Sequence, residues 1–129
     1  MLTTLANVFG VVLLLVGILG FIPGITTSDQ MLLGIFHVNA LHNIVHLVSG
    51  VAGIWAAKNG VKAAKMFFQV FGVIYALVTV LGFYYGDAAI LGLVSNNTSD
   101  TYLHLVIAVA ALYLGFAKKE DMAAPAMPA

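Results

Sequence analysis

Four long apolar stretches, broken by short polar segments, set the pattern of the chain. A helix needs roughly 20 apolar residues to cross about 30 Å of hydrocarbon, and the runs predict spans over residues 4–22, 39–57, 66–85 and 101–117. The fourth is the shortest, yet it is uncharged between its Asp100 and Lys118 flanks. The first lacks the basic leader and small-residue cleavage site of a signal peptide. It also has a near-copy in mid-chain, so both are expected to be permanent spans.

That near-copy is part of a longer repetition. Residues 8–24 (VFGVVLLLVGILGFIPG) align without a gap on 70–86 (VFGVIYALVTVLGFYYG), identical at ten of seventeen positions. Residues 32–48 align on 90–106 at a constant offset of 58, which brings Gly34 onto Gly92, Asn39 onto Asn97, His42 onto Asp100 and His46 onto His104. The expected fold class is an all-α integral membrane protein. Its four transmembrane helices form two tandem hairpins, repeat 1 at about 4–57 and repeat 2 at about 66–117, with short interfacial segments before spans 2 and 4. Two crossings separate the halves, so they share one orientation, as in parallel repeats about an axis along the membrane normal. Residues 1–117 make one four-helix domain, and the polar, then Ala/Pro-rich stretch 118–129 is expected to be a disordered cytoplasmic tail.

The interfacial segments, 31–36 (MLLGIF) and 88–94 (AAILGLV), are apolar and too short to cross. They are expected to dip into the outer interface or pack over the bundle's mouth. Each precedes a helix start. Asn97-Thr98-Ser99-Asp100 reads as a capping box with Asn97 as N-cap, and Asn39 holds the equivalent position. Asn96 and Asn97 also fit glycosylation sequons, but capping accounts for the run.

Composition agrees with a membrane solvent: 62% of residues are apolar, 8% are charged and the mean hydropathy is +1.06, too little polar surface to cover a water-soluble particle. A formal net charge of zero argues against a nucleic-acid partner, and the absence of cysteine excludes disulfides, thiolate metal sites and iron–sulfur clusters. The only cationic side chains besides histidine are Lys58, Lys62, Lys65, Lys118 and Lys119, all after span 2 or span 4. Because short Lys-rich loops stay cytoplasmic, both termini are expected inside, with the segments before spans 2 and 4 outside. Trp55 near the inner end of span 2, and Tyr84, Tyr85 and Tyr102 near outer ends, suit an aromatic belt. Phe67, Phe68 and Phe71 read as a lipid-facing or packing surface.

Candidate chemistry lies in the histidines. His42 and His46 are spaced i, i+4 at the start of span 2, as are Asp100 and His104 at the start of span 4, and a helix brings such pairs onto one face. His42, His46, Asp100 and His104 would make a first shell for zinc or another divalent ion. The same geometry suits axial ligation of a haem or chlorin by His46 and His104. A third reading is structural, with His and Asn43 hydrogen-bonding across helices and Asp100 orienting His104. Below His46 come Gly50, Gly53 and Ala57, and below His104 come Ala108, Ala111 and Gly115. Such stripes let backbones approach in lipid, so spans 2 and 4 are expected to pack together, with the two imidazole centres within about 12 Å. His37 aligns with Ser95 and reads as an interfacial residue. No nucleophile triad, phosphate loop or midplane charge stands out.

Three runs carry a family resemblance: Phe36–Leu47 (FHVNALHNIVHL), Val16–Gly24 (VGILGFIPG) and Asn97–Leu105 (NTSDTYLHL). Together they resemble a prokaryotic family of small four-span membrane proteins catalogued only as a domain of unknown function. The resemblance covers nearly all of the chain except the tail. It implies Asn39, His42, Asn43, His46, Asp100 and His104 as the characteristic polar positions, a location in the prokaryotic inner or plasma membrane, and no particular reaction. His37 stands where that family often carries an acidic residue. The resulting expectation is a small non-enzymatic integral membrane protein, an accessory subunit of a larger membrane complex or a homo-oligomer. The alternative is a metal-ion or haem/chlorin-binding protein with its histidine cluster near the extracytoplasmic face.

Overall fold

The computed structural model describes residues 1–117, and the expected tail at 118–129 lies outside the described residues. Four helices carry the fold: α1 Leu2–Leu19, α2 Ala40–Lys58, α3 Val61–Tyr85 and α4 Thr98–Leu112, the last continued by a π-helical turn over Tyr113–Ala117. All four are long and apolar enough to cross a membrane, and the molecule is an all-α four-span protein. Large apolar side chains such as Val12, Leu77, Val80 and Val106 are exposed along the outer faces, where acyl chains rather than water meet them.

Side-chain caps set where α2 and α4 begin. Asn39 Oδ1 accepts the His42 amide at 2.9 Å, and Asn97 Oδ1 accepts the Asp100 amide at 2.9 Å. The Asp100 carboxylate returns a bond to the Asn97 amide at 3.0 Å, closing the capping box. Asn59 and Gly60 join α2 to α3 at the opposite end, Gly60 at φ 100.

The connections before α2 and α4 differ in length but contain the same tight turn. In the first, β1 (Met31–Leu32) pairs antiparallel with β2 (Phe36–His37), and in the second a single bridge joins Ile90 to Val94. Leu33 and Gly34 have φ of 55 and 71, and Leu91 and Gly92, 58 residues on, have φ of 54 and 71. Positive φ at both central residues belongs to the mirror-image turns that suit a twisted hairpin. Each turn tucks one apolar side chain, Leu32 or Ile90, beneath itself and exposes the next ones, Leu33 and Ile35 or Leu91 and Leu93.

Within the bundle α1 packs most closely on α2 and α3 on α4, while the α2–α3 and α1–α3 contacts are looser. The small-residue stripes explain this and correct the expectation that spans 2 and 4 pack through them. A Cβ on Gly50 would lie 2.5 Å from the Leu14 backbone nitrogen of α1, and one on Gly115 would lie 2.7 Å from the Gln69 nitrogen of α3. The glycines therefore serve backbone approach inside each hairpin, a contact that apolar burial alone would not drive in lipid. The end of the bundle beside the α2–α3 junction is filled by Leu2, Ala6, Ala56, Ala64, Phe67, Phe68 and Ala111, with Phe9 set edge-on to Phe68 at 5.2 Å, and Leu13, Tyr75 and Ala108 pack in the bundle's middle. Helices α2 and α4 meet through side chains instead, near their N-terminal ends.

Candidate functional site

His42 is the third residue of α2 and His46 lies one turn further in, while His104 is the seventh residue of α4. At 1.5 Å rise per residue the deeper pair sits roughly 9 Å below the helix starts. The i, i+4 spacing aims the first two imidazoles along one face, and the bundle brings the third against them. Ring centres lie 4.9 Å apart for His42–His46, 5.5 Å for His42–His104 and 5.8 Å for His46–His104. All three are at most 3% exposed. One nitrogen from each lies within 4.8 Å of the others.

Hydrogen bonds orient the cluster. His42 Nδ1 lies 2.8 Å from the Ser95 carbonyl, which can only accept, so this nitrogen carries the hydrogen and Nε2 presents a lone pair. His42 Nε2 faces His46 Nε2 at 3.1 Å, and His46 therefore donates in the uncharged pair. His46 Nδ1 and His104 Nδ1 are buried and have no hydrogen-bond partner.

Asp100 lies elsewhere in the arrangement. Its Oδ2 accepts the amides of Asn97, at 3.0 Å, and His37, at 3.1 Å, and it is not one of the converging groups. The equivalence of His42 and Asp100 nevertheless survives in what they touch: each reaches the backbone just before the other repeat's helix, His42 at Ser95 and Asp100 at His37, again 58 residues apart. The cap asparagines do the same. Asn39 Nδ2 donates to the Leu93 carbonyl at 3.0 Å and Asn97 Nδ2 to that of Ile35 at 2.9 Å. Four reciprocal bonds thus clasp the two turns to the opposite hairpins and close the end of the bundle above the imidazoles.

Asn43 is buried against Gly20, where a Cβ would overlap its amide, and its Oδ1 is unpartnered. Its counterpart Thr101 packs the same way on Gly82 and shares hydrogen bonds with Asn96. Sequence reasoning missed Tyr75 and Ser49. The Tyr75 ring lies 5.6 Å from that of His104 and 6.2 Å from that of His46, and its hydroxyl donates to Ser49 Oγ at 3.2 Å. The available signal was a tyrosine in mid-span, away from the interfacial belts where amphipathic rings gather.

Three buried imidazoles with converging nitrogens can hold a cation. Two nitrogens on a tetrahedral zinc ion, each about 2.0–2.1 Å from it, lie about 3.3 Å apart, close to the 3.1 Å between His42 and His46. A backbone carbonyl fixing the far nitrogen of a ligating histidine, as Ser95 does for His42, is the usual support of such a ligand. The cavity bordering the cluster, lined by His42, His46, Tyr75 and His104 among others, holds about 70 Å³, room for an ion and one or two waters.

No curated protein and no solved structure matches the chain. Residues 3–117 match the family described as "Domain of unknown function (DUF4383)". As that match takes in all four helices, both turns and every histidine, the chain belongs to this family.

Proposed function

We propose that this protein is a small multi-pass membrane protein that binds a divalent transition-metal ion, zinc foremost, at His42, His46 and His104. One observation carries the reading. Three buried imidazoles from two helices each bring one nitrogen to within 4.8 Å of the others, with His42 Nε2 and His46 Nε2 only 3.1 Å apart. A cation takes up three lone pairs at once and leaves a fourth position for water or a small ligand, the open arrangement of reactive rather than structural zinc. A macrocycle between His46 and His104 is less well supported, because the His42 ring stands within 5.5 Å of both and the space is small. The test is a cobalt titration of protein purified in mild detergent without chelators. One equivalent of Co²⁺ should produce the intense visible bands of a tetrahedral ion, displaced by one equivalent of zinc. A spectrum unchanged from aqueous cobalt would sink the proposal.

The same reading places the site under the extracytoplasmic face, with the termini inside, on the strength of the five lysines. Cysteine at Ser28 or Asp87, both exposed in the turns before α2 and α4, should react with an impermeant thiol reagent added outside intact cells. Cysteine at exposed Asn59 should not. The reverse pattern would move the histidines to the cytoplasmic side.

A further inference from the structure

We infer that the crevice between α1 and α4 binds a lipid-soluble ring bearing a hydroxyl or carbonyl oxygen, of the quinol/quinone class, with that oxygen on His46. The crevice holds about 210 Å³ and is lined by Val12, Leu13, Val16, Leu103 and Ile107, with His46 as its polar lining residue. Val12 is half exposed on the lipid-facing side of α1, so the opening faces the acyl chains and admits molecules dissolved there. An apolar cavity of roughly 150 Å³ accommodates a benzene ring, and this one has space for a ring with substituents.

The protein's own second half sets a ring in the equivalent space. Shifting α1 by 62 residues and the α2/α4 positions by 58 turns Val12, Leu13, Val16, His46, Leu103 and Ile107 into Ile74, Tyr75, Val78, His104, Val45 and Ser49. Five of those six line the equivalent space beside α3, which holds only about 70 Å³. There Tyr75 replaces Leu13 and sets a phenol ring 5.6 Å from His104, its hydroxyl bonded to Ser49, which replaces Ile107. The α1–α4 crevice thus has the shape of a site whose built-in phenol was never supplied. Tyr75 gives its hydroxyl to Ser49 and leaves His104 Nδ1 unpartnered as well, so the need for an oxygen rests on His46 itself. His46 Nδ1, a buried lone pair without a partner, calls for a hydroxyl donor. An ion on His46 Nε2 would put the hydrogen on Nδ1, and the same position would take a carbonyl oxygen. An acyl chain would answer neither, and an unpaired buried nitrogen is costly.

The proposal does not require the metal. The experiment uses metal-free full-length protein in nanodiscs of a single phosphatidylcholine, titrated with decylhydroquinone and, separately, with decylbenzene. Hydroquinone should bind saturably at one per chain and at least tenfold more tightly than decylbenzene. Leu13→Tyr, which installs the second half's phenol, should weaken hydroquinone binding at least tenfold while leaving zinc affinity unchanged. Ile107→Phe, which narrows the crevice by a different residue, should act likewise if the first variant does not fold. Equal binding of the two probes would mean an acyl-chain groove only and would overturn the inference, as would a folded filled variant that binds hydroquinone like the parent. Loss of zinc binding with hydroquinone binding retained would overturn the metal reading alone.

Discussion

Replacing His42, His46 or His104 with alanine is expected to weaken zinc binding at least a hundredfold, measured by competition against a zinc-sensitive dye. Even supporting groups around metal-bound histidines are worth about 10- to 100-fold in affinity, and here one of three direct ligands disappears. Once one imidazole is gone, a second His→Ala change should add little, because the three act as one site. His104→Leu is the sharper variant. It removes a buried nitrogen that has no partner, breaks neither of the hydrogen bonds that orient His42 and His46, and restores comparable volume, so metal-free stability should change by less than about 1 kcal/mol, while zinc binding falls as for alanine. Histidines present only for packing would give the opposite pattern: stability lost in each variant, and no zinc binding to lose in the parent. His42→Ala carries an extra penalty, since it also strips the Ser95 carbonyl of its donor.

The spans were legible because lipid demands long uninterrupted apolar runs, a signal unmatched in strength by any other feature of the chain. The inward direction of each helix was less so. When solvent and core are equally apolar, hydrophobic periodicity cannot tell one face from the other, and only polar or small residues mark the interior. His42, His46 and His104 carried that mark through their spacing. Gly50, Gly53 and Gly115 carried it as well, yet a small residue says that something approaches closely, not which helix does so. Their partners prove to be the neighbours within each hairpin. Tyr75 was hidden among the apolar residues of α3, and its hydroxyl made sense only once Ser49 stood opposite. The reciprocal bonds of Asn39 with Leu93 and Asn97 with Ile35 join residues 54 and 62 apart, so no local pattern could reveal them. Aligning the halves at an offset of 58 paired Asn39 with Asn97 as caps but did not point to Leu93 or Ile35 as their partners.

Asp100 is the residue whose two readings separate most clearly by experiment. Its Oδ2 holds the amides of Asn97 and His37, and the residue is 1% exposed, so Asp100→Ala should leave two donors without an acceptor at the closed end of the bundle. Loss of a cap side chain costs about 0.5–2 kcal/mol, and each amide left unpaired in a buried setting adds roughly 1–3 kcal/mol. Water admitted at the helix start would recover part of that, leaving an expected loss of about 2–4 kcal/mol in reversible unfolding from mixed micelles. Asp100→Asn keeps an oxygen in place of Oδ2 and should lose less than half as much. Neither change should shift zinc affinity more than about threefold in the folded protein, because the carboxylate is spent on backbone and the imidazoles are held by α2, α4 and the Ser95 carbonyl. A hundredfold loss of zinc affinity in Asp100→Asn, with stability intact, would show that the carboxylate swings inward to complete a four-ligand shell. The cap would then be its resting position, and ion binding would release β2 from α4.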